Sequence, residues 1–83
     1  MKNKDIQSYL MKTIPLDKLY VTGDNNHIKI VAIGKIFEGI NNVQKQQIIY
    51  KPLTKYIIEK KIHAISIHTF TLKEWKKKNT TKQ

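Results

Sequence analysis

Two alternating runs separated by a turn constrain this chain more than anything else in it. Residues 19–22 alternate Leu19 and Val21 with Tyr20 and Thr22. Residues 27–33 place Ile28, Ile30 and Ala32 on one face and Lys29, Val31 and Ile33 on the other. Between them stands Gly23-Asp24-Asn25-Asn26, residues that tolerate positive φ and close turns. The pattern predicts an antiparallel hairpin, with His27 where the turn meets the second strand.

The flanking segments supply helices and one more strand. Ile6, Tyr9, Leu10 and Ile14 recur at helical spacing, and Pro15 ends that helix because it disfavours helical geometry in the preceding residue. Residues 34–42 read as a loop, with Phe37 and Ile40 tucked into the core and Asn41 or Asn42 capping the next helix. From residue 43 to about 61, Val43, Gln47 and Tyr50 fall on one stripe, continued by Leu53, Ile57 and Ile58. Pro52 is expected to kink this helix or split it into two. Residues 62–70 read as the last strand, with Ile62, Ala64, Ser66, His68 and Phe70 on one face and His63, Ile65, Ile67 and Thr69 on the other. Thr71-Leu72-Lys73-Glu74 has the spacing of a capping box that opens a terminal helix carrying Trp75. Lys76, Lys77 and Lys78 lie toward its C-terminal end, where the helix dipole favours cations. The expected order is α-β-β-α-α-β-α: an α+β, two-layer domain over residues 1–78, with helices on one face of a three-stranded mixed sheet. Residues 79–83 form a tail expected to fray.

Length limits the chemistry. A domain of 83 residues buries only about 60% of its unfolded surface and leaves little room for a deep catalytic cleft. Its six carboxylates are dispersed, no nucleophile stands beside an evident base, and no phosphate-binding glycine loop appears, so no enzyme is expected. Cysteine is absent, which excludes disulfides, zinc-thiolate sites and thiol catalysis by this chain alone. No apolar run spans a membrane and no basic-then-apolar leader is present. The expectation is a cytoplasmic chain.

The charge is lopsided, with 16 basic residues against 6 acidic and a formal net of +10. Every basic residue is lysine. Lysine is a hydrated point charge, without the planar fork that reads guanine. Its abundance, with that of isoleucine and asparagine, also matches an AT-rich coding sequence. Such a field can attract nucleic acid, an anionic membrane or an acidic protein.

Several stretches together resemble the BolA family, in particular its IbaG-like branch. They are Val21-Thr22-Gly23-Asp24-Asn25-Asn26-His27, Phe37-Glu38-Gly39, Gln46 to Tyr50, and Ile62-His63-Ala64-Ile65-Ser66-Ile67. Thr71-Leu72-Lys73-Glu74-Trp75 is similar to the family's Thr-Pro-x-Glu-Trp, with leucine at the proline position. The resemblance implies a class II KH-like fold and a heterodimer with a monothiol glutaredoxin of the CGFS type. It implies a shared [2Fe-2S] cluster, for which glutaredoxin cysteine and glutathione give sulfur and this chain gives histidine. The family's invariant histidine corresponds to His63 and its variable hairpin-loop ligand to His27. Histidine can replace cysteine on one iron of such a cluster. A chain without thiols binds no cluster alone and can only complete one that a partner presents. A histidine ligand must be neutral to bind, so acid should weaken the complex. His68 has no counterpart in the family and reads as structural.

The family also implies a second reading, a nucleic-acid-binding transcriptional or stress regulator. KH-like folds clamp single strands with a Gly-x-x-Gly loop. Gly23, Gly34 and Gly39 form no such pair, and the segment that would carry the loop reads Tyr50-Lys51-Pro52-Leu53. What remains is charge at Lys51, Lys55, Lys60 and Lys61, with Lys76 to Lys78, suited to weak, salt-sensitive phosphate binding without sequence choice. A weak homodimer is compatible with the sequence. A membrane partner is not expected.

Overall fold

The computed structural model describes residues 1–24 and 26–80, the side chains of residues 79 and 80 excepted. Helix α1 (Asn3–Thr13) packs Ile6 and Leu10 inward and stops where Ile14, ahead of Pro15, turns extended. Strands β1 (Lys18–Gly23) and β2 (Ile28–Ile33) form the expected hairpin, registered from Lys18 opposite Ile33 to Gly23 opposite Ile28. A short 3₁₀ turn (Lys35–Phe37) leads to α2 (Asn42–Ile58), whose first turn is capped by Asn41 accepting from the Gln44 N–H at 2.8 Å. Strand β3 (Ile65–Phe70) returns parallel to β2, Ile28 beside Ile65 through Ile33 beside Phe70, and α3 (Leu72–Thr80) closes the chain. The sheet order is β1-β2-β3.

The core lies between the sheet and the pair α1 and α2. Ile28, Ile30 and Ala32 of β2 meet Ile6 and Leu10 of α1, Ile49 and Leu53 of α2, and Phe37 and Ile62 from the connections. This positions the central strand, and every functional residue discussed below hangs from it or its neighbours.

Three expectations need correction. Pro52 neither splits nor ends α2, so the order is α-β-β-α-β-α, with one helix fewer than expected. An interior proline costs roughly 3 kcal/mol. Ile49 and Leu53, both fully buried on either side of it, each contribute about 1.5–3 kcal/mol, enough to hold the helix together across the missing bond. The Pro52 carbonyl also accepts from the Tyr9 hydroxyl at 3.2 Å. The inward stripe of α2 matches the expected one at Leu53 and Ile57 and differs from it elsewhere. Val43 (65% exposed), Tyr50 (43%) and Ile58 (73%) face outward, while Ile48, Ile49, Leu53, Tyr56 and Ile57 face the core. Both stripes have helical spacing, and only the position of the sheet decides between them.

The third correction concerns α3. Helices α1 and α2 share one face, but α3 crosses the other. Trp75 lies 5.9 Å from the Tyr20 ring and 5.3 Å from the Phe70 ring, and both belong to the face opposite Ile28 and Ile30. Phe70, the last residue of β3, already points that way, so a helix starting two residues later follows it. Helix α3 also runs through the first two residues of the segment expected to fray; residues 81–83 lie outside the described residues.

Both sheet edges are blunted. The outward carbonyls of Gly23 and Leu19 on β1 accept from Asn3 and Gln7 of α1 at 3.0 and 3.1 Å, and that of Ile67 on β3 accepts from Gln46 of α2 at 2.8 Å. Side-chain amides thus occupy groups that would otherwise template another strand.

The capping box of α3 forms as its spacing predicts. The Glu74 carboxylate accepts from the Thr71 N–H at 2.8 Å, and the Thr71 hydroxyl accepts from the Glu74 N–H at 3.1 Å. The bond from the Thr71 backbone holds the Glu74 carboxyl below its ordinary value of 4.5; partial desolvation opposes this and the Lys45 charge assists it. A depressed carboxyl stabilises the fold above its unfolded pKa, and that contribution is lost as pH falls through the lower folded value. Thermal unfolding of Glu74→Ala is therefore expected to start below the wild type at pH 7, and the two midpoints should converge well under pH 4.5.

Candidate functional site

The hairpin turn fixes His27 through its backbone. Gly23 has φ +98°, and a Cβ there would overlap the His27 carbonyl oxygen, so only glycine fits this close approach. The Asp24 carboxylate accepts from the N–H groups of Asn26 at 2.9 Å and His27 at 3.2 Å, and the Asp24 N–H donates to the His27 carbonyl at 3.2 Å. Asn25, the remaining residue of the expected turn, lies outside the described residues. The His27 ring is exposed, and its Nε2 lies 2.6 Å from the Ser66 hydroxyl of β3. That bond engages one ring nitrogen and leaves Nδ1 for another partner. Ser66 was not singled out from sequence, because its nearness to His27 depends on the β2–β3 register, 39 positions away along the chain.

His63 is set by the exit from α2. Lys60 adopts φ +62°. The Lys60 N–H bonds the Ile57 carbonyl at 3.0 Å and the Lys61 N–H bonds the Tyr56 carbonyl at 2.9 Å. This is a Schellman motif with lysine where glycine is usual. It turns the chain so that Ile62, 1% exposed, plugs the core and His63 is left in solvent. His63 therefore belongs to the connection before β3, which begins only at Ile65, rather than to the strand itself. A non-glycine residue in this conformation costs roughly 1–2 kcal/mol. Lys60→Gly is expected to stabilise the domain by about 1 kcal/mol in urea unfolding, without moving His63.

The parallel pairing brings the two histidines to the same end of the sheet. The Ile28 N–H donates to the Ala64 carbonyl at 2.9 Å, and these are the residues that directly follow His27 and His63. Among the described residues His63 makes no hydrogen bond or ion pair. No group of three histidines or carboxylates suited to a metal ion occurs among them either. The chain offers imidazole but no thiolate. A metal centre held here would need its remaining ligands from elsewhere. His68 stands apart, on the open sheet face beside Val31.

The lysines form a different surface. Lys51 and Lys55 are exposed one turn apart on α2, and Lys60 and Lys61 are exposed in the turn that follows. Lys55 rests 5.3 Å from the Tyr56 ring centroid, and Lys61 pairs with Glu59 at 3.7 Å, an exposed contact of little energetic weight. Among the described residues no helix is long and apolar enough to cross a membrane.

Comparison with known proteins matches the fold. The model of the BolA-like protein family covers residues 7–74. The acid stress protein IbaG of Escherichia coli (strain K12) is 44% identical over 75 residues, 90% of this chain and 89% of that protein. The DNA-binding transcriptional regulator BolA of Haemophilus influenzae is 39% identical over 59 residues, 71% of this chain and 56% of that protein. The structure of a bolA protein homologue from Coxiella burnetii superposes with a TM-score of 0.78, covering 92% of this chain and 97% of that one; at 23% identity it shows a shared fold.

Proposed function

This chain belongs to the BolA-like protein family, and on that footing we propose that it is a non-enzymatic adaptor in iron-sulfur cluster assembly or trafficking. It docks a monothiol CGFS glutaredoxin and contributes histidine to a [2Fe-2S] cluster whose sulfur ligands come from the partner and from glutathione. One observation carries the reading. Two exposed imidazoles flank the start of the β2–β3 pair in a chain that has no cysteine.

The chain's own residues have separable parts in this scheme. His63 is the principal donor, held by the Lys60 turn and the Ile62 anchor. His27 is the second, steered by Gly23, Asp24 and Ser66. A metal-ligating histidine commonly donates its other ring N–H to a fixed acceptor, and the Ser66 hydroxyl supplies such a contact. Mixing the chain with a CGFS glutaredoxin, glutathione and reconstitution components should give a heterodimer by sizing and new bands in visible circular dichroism. A spectrum identical to that of glutaredoxin alone, with no heterodimer, rejects the proposal.

The nucleic-acid reading retains two supports: the name of the Haemophilus relative and the contiguous lysines Lys51, Lys55, Lys60 and Lys61. It requires DNA to shift amide resonances along residues 51–61 at physiological salt. Shifts that vanish as salt is raised and show no sequence preference mark a nonspecific cationic surface.

A further inference from the structure

On the sheet face opposite α1 and α2, a cleft of about 250 Å³ lies between β2, β3 and α3, lined by Lys29, Val31, His68, Phe70, Trp75 and Lys78. The register orders these residues. Lys29 lies beside Ser66 at one end, Val31 and His68 form the middle, and Phe70 lies at the other end against Trp75. The floor and end wall are apolar and aromatic. The polar groups are two lysines and a histidine, and no carboxylate is among the described residues that line the cleft. The Lys78 ammonium lies 5.2 Å from the Phe70 ring centroid. Lys29 is exposed and makes no ion pair among the described residues. The net charge of +10 adds a field that concentrates anions.

We propose that this cleft binds a small phosphomonoester that carries a planar ring, the chemistry of a nucleoside monophosphate. The ring lies on Val31 against Trp75, and the phosphate is held between Lys29 and Lys78 with His68 at its side. Lysine suits this role as a point-charge phosphate binder, and aromatic side chains stack on any base. The volume lies just under the range of about 300–1,000 Å³ usual for drug-sized ligands, which favours a single nucleotide over a larger molecule. The site uses neither His27 nor His63, so it stands or falls independently of the adaptor role.

Trp75 is the only tryptophan, so its fluorescence reports the cleft directly. Adenosine monophosphate should quench it saturably. Adenosine and ribose 5-phosphate, each lacking half of the ligand, should bind about tenfold more weakly. Lys29→Gln should weaken the mononucleotide about threefold with the unfolding midpoint unchanged, and Lys29→Gln with Lys78→Gln about tenfold. Absence of saturable quenching, equal quenching by adenosine, or affinity untouched by the double substitution overturns the proposal. So does tight binding of a phosphorylated oligonucleotide or an acidic peptide by a protein that ignores the mononucleotide.

Discussion

Phe37→Ala is expected to destabilise the domain by about 3–5 kcal/mol, the usual cost of removing a fully buried phenylalanine. The ring is 0% exposed and packs in the same cluster as Ile6, Leu10, Ile30, Ile49 and Leu53, so it ties both helices to the central strand. A domain of this size holds only about 5–15 kcal/mol in total. Each kcal/mol shifts the midpoint by roughly 4–8 °C, so a fall of at least about 12 °C is expected in calorimetry. Urea unfolding should show the same loss with an unchanged slope. Phe37→Leu should cost much less, because it retains most of the volume. A small effect of the alanine substitution would mean that the connection between β2 and α2 can collapse over the gap.

His63→Ala is expected to abolish the circular dichroism bands of the shared cluster while changing stability by no more than about 0.5 kcal/mol, as befits an exposed position outside the core. The separation of the two effects is the informative part. If the variant loses the cluster but still forms the glutaredoxin heterodimer, His63 acts as a ligand. If it loses heterodimer and cluster together at full stability, His63 belongs to the docking surface. Bands unchanged by the substitution remove it from the metal centre altogether. His27→Ala should alter the bands without eliminating them, since the proposal assigns His63 the principal role.

Much of the architecture follows from short-range pattern. The hairpin, the stop at Pro15, a cap from one of the two asparagines offered (Asn41) and the Thr71–Glu74 box all follow the pattern, because each rests on residues within a few positions of one another. The misreadings have a common cause. Leu53 and Ile57 face the core as expected, but Val43, Gln47 and Tyr50 extend that stripe at helical spacing as well as Ile48 and Ile49 do, and the sequence carries no marker of which set meets a sheet. Pro52 is a helix breaker locally and is tolerated globally. The side of the sheet taken by α3 likewise depends on where Trp75 finds Tyr20, 55 positions earlier in the chain.

The candidate site divides along the same line. That His27 and His63 are the residues to consider followed from residue types and from resemblance, and that this chain has no thiolate to offer a metal was settled by composition. The turn at Lys60, the contact between Ser66 and His27, and the arrival of both histidines at one end of the sheet could not be read the same way. A left-handed lysine has no sequence signature, and the parallel register of β2 and β3 is fixed by burying Ile28, Ile30, Ile65 and Ile67 together beneath α1 and α2. Local preferences are properties of neighbouring residues and are therefore written in the chain. The meeting of distant segments is decided by which packing buries the most apolar surface, and that exists only once the whole domain has folded.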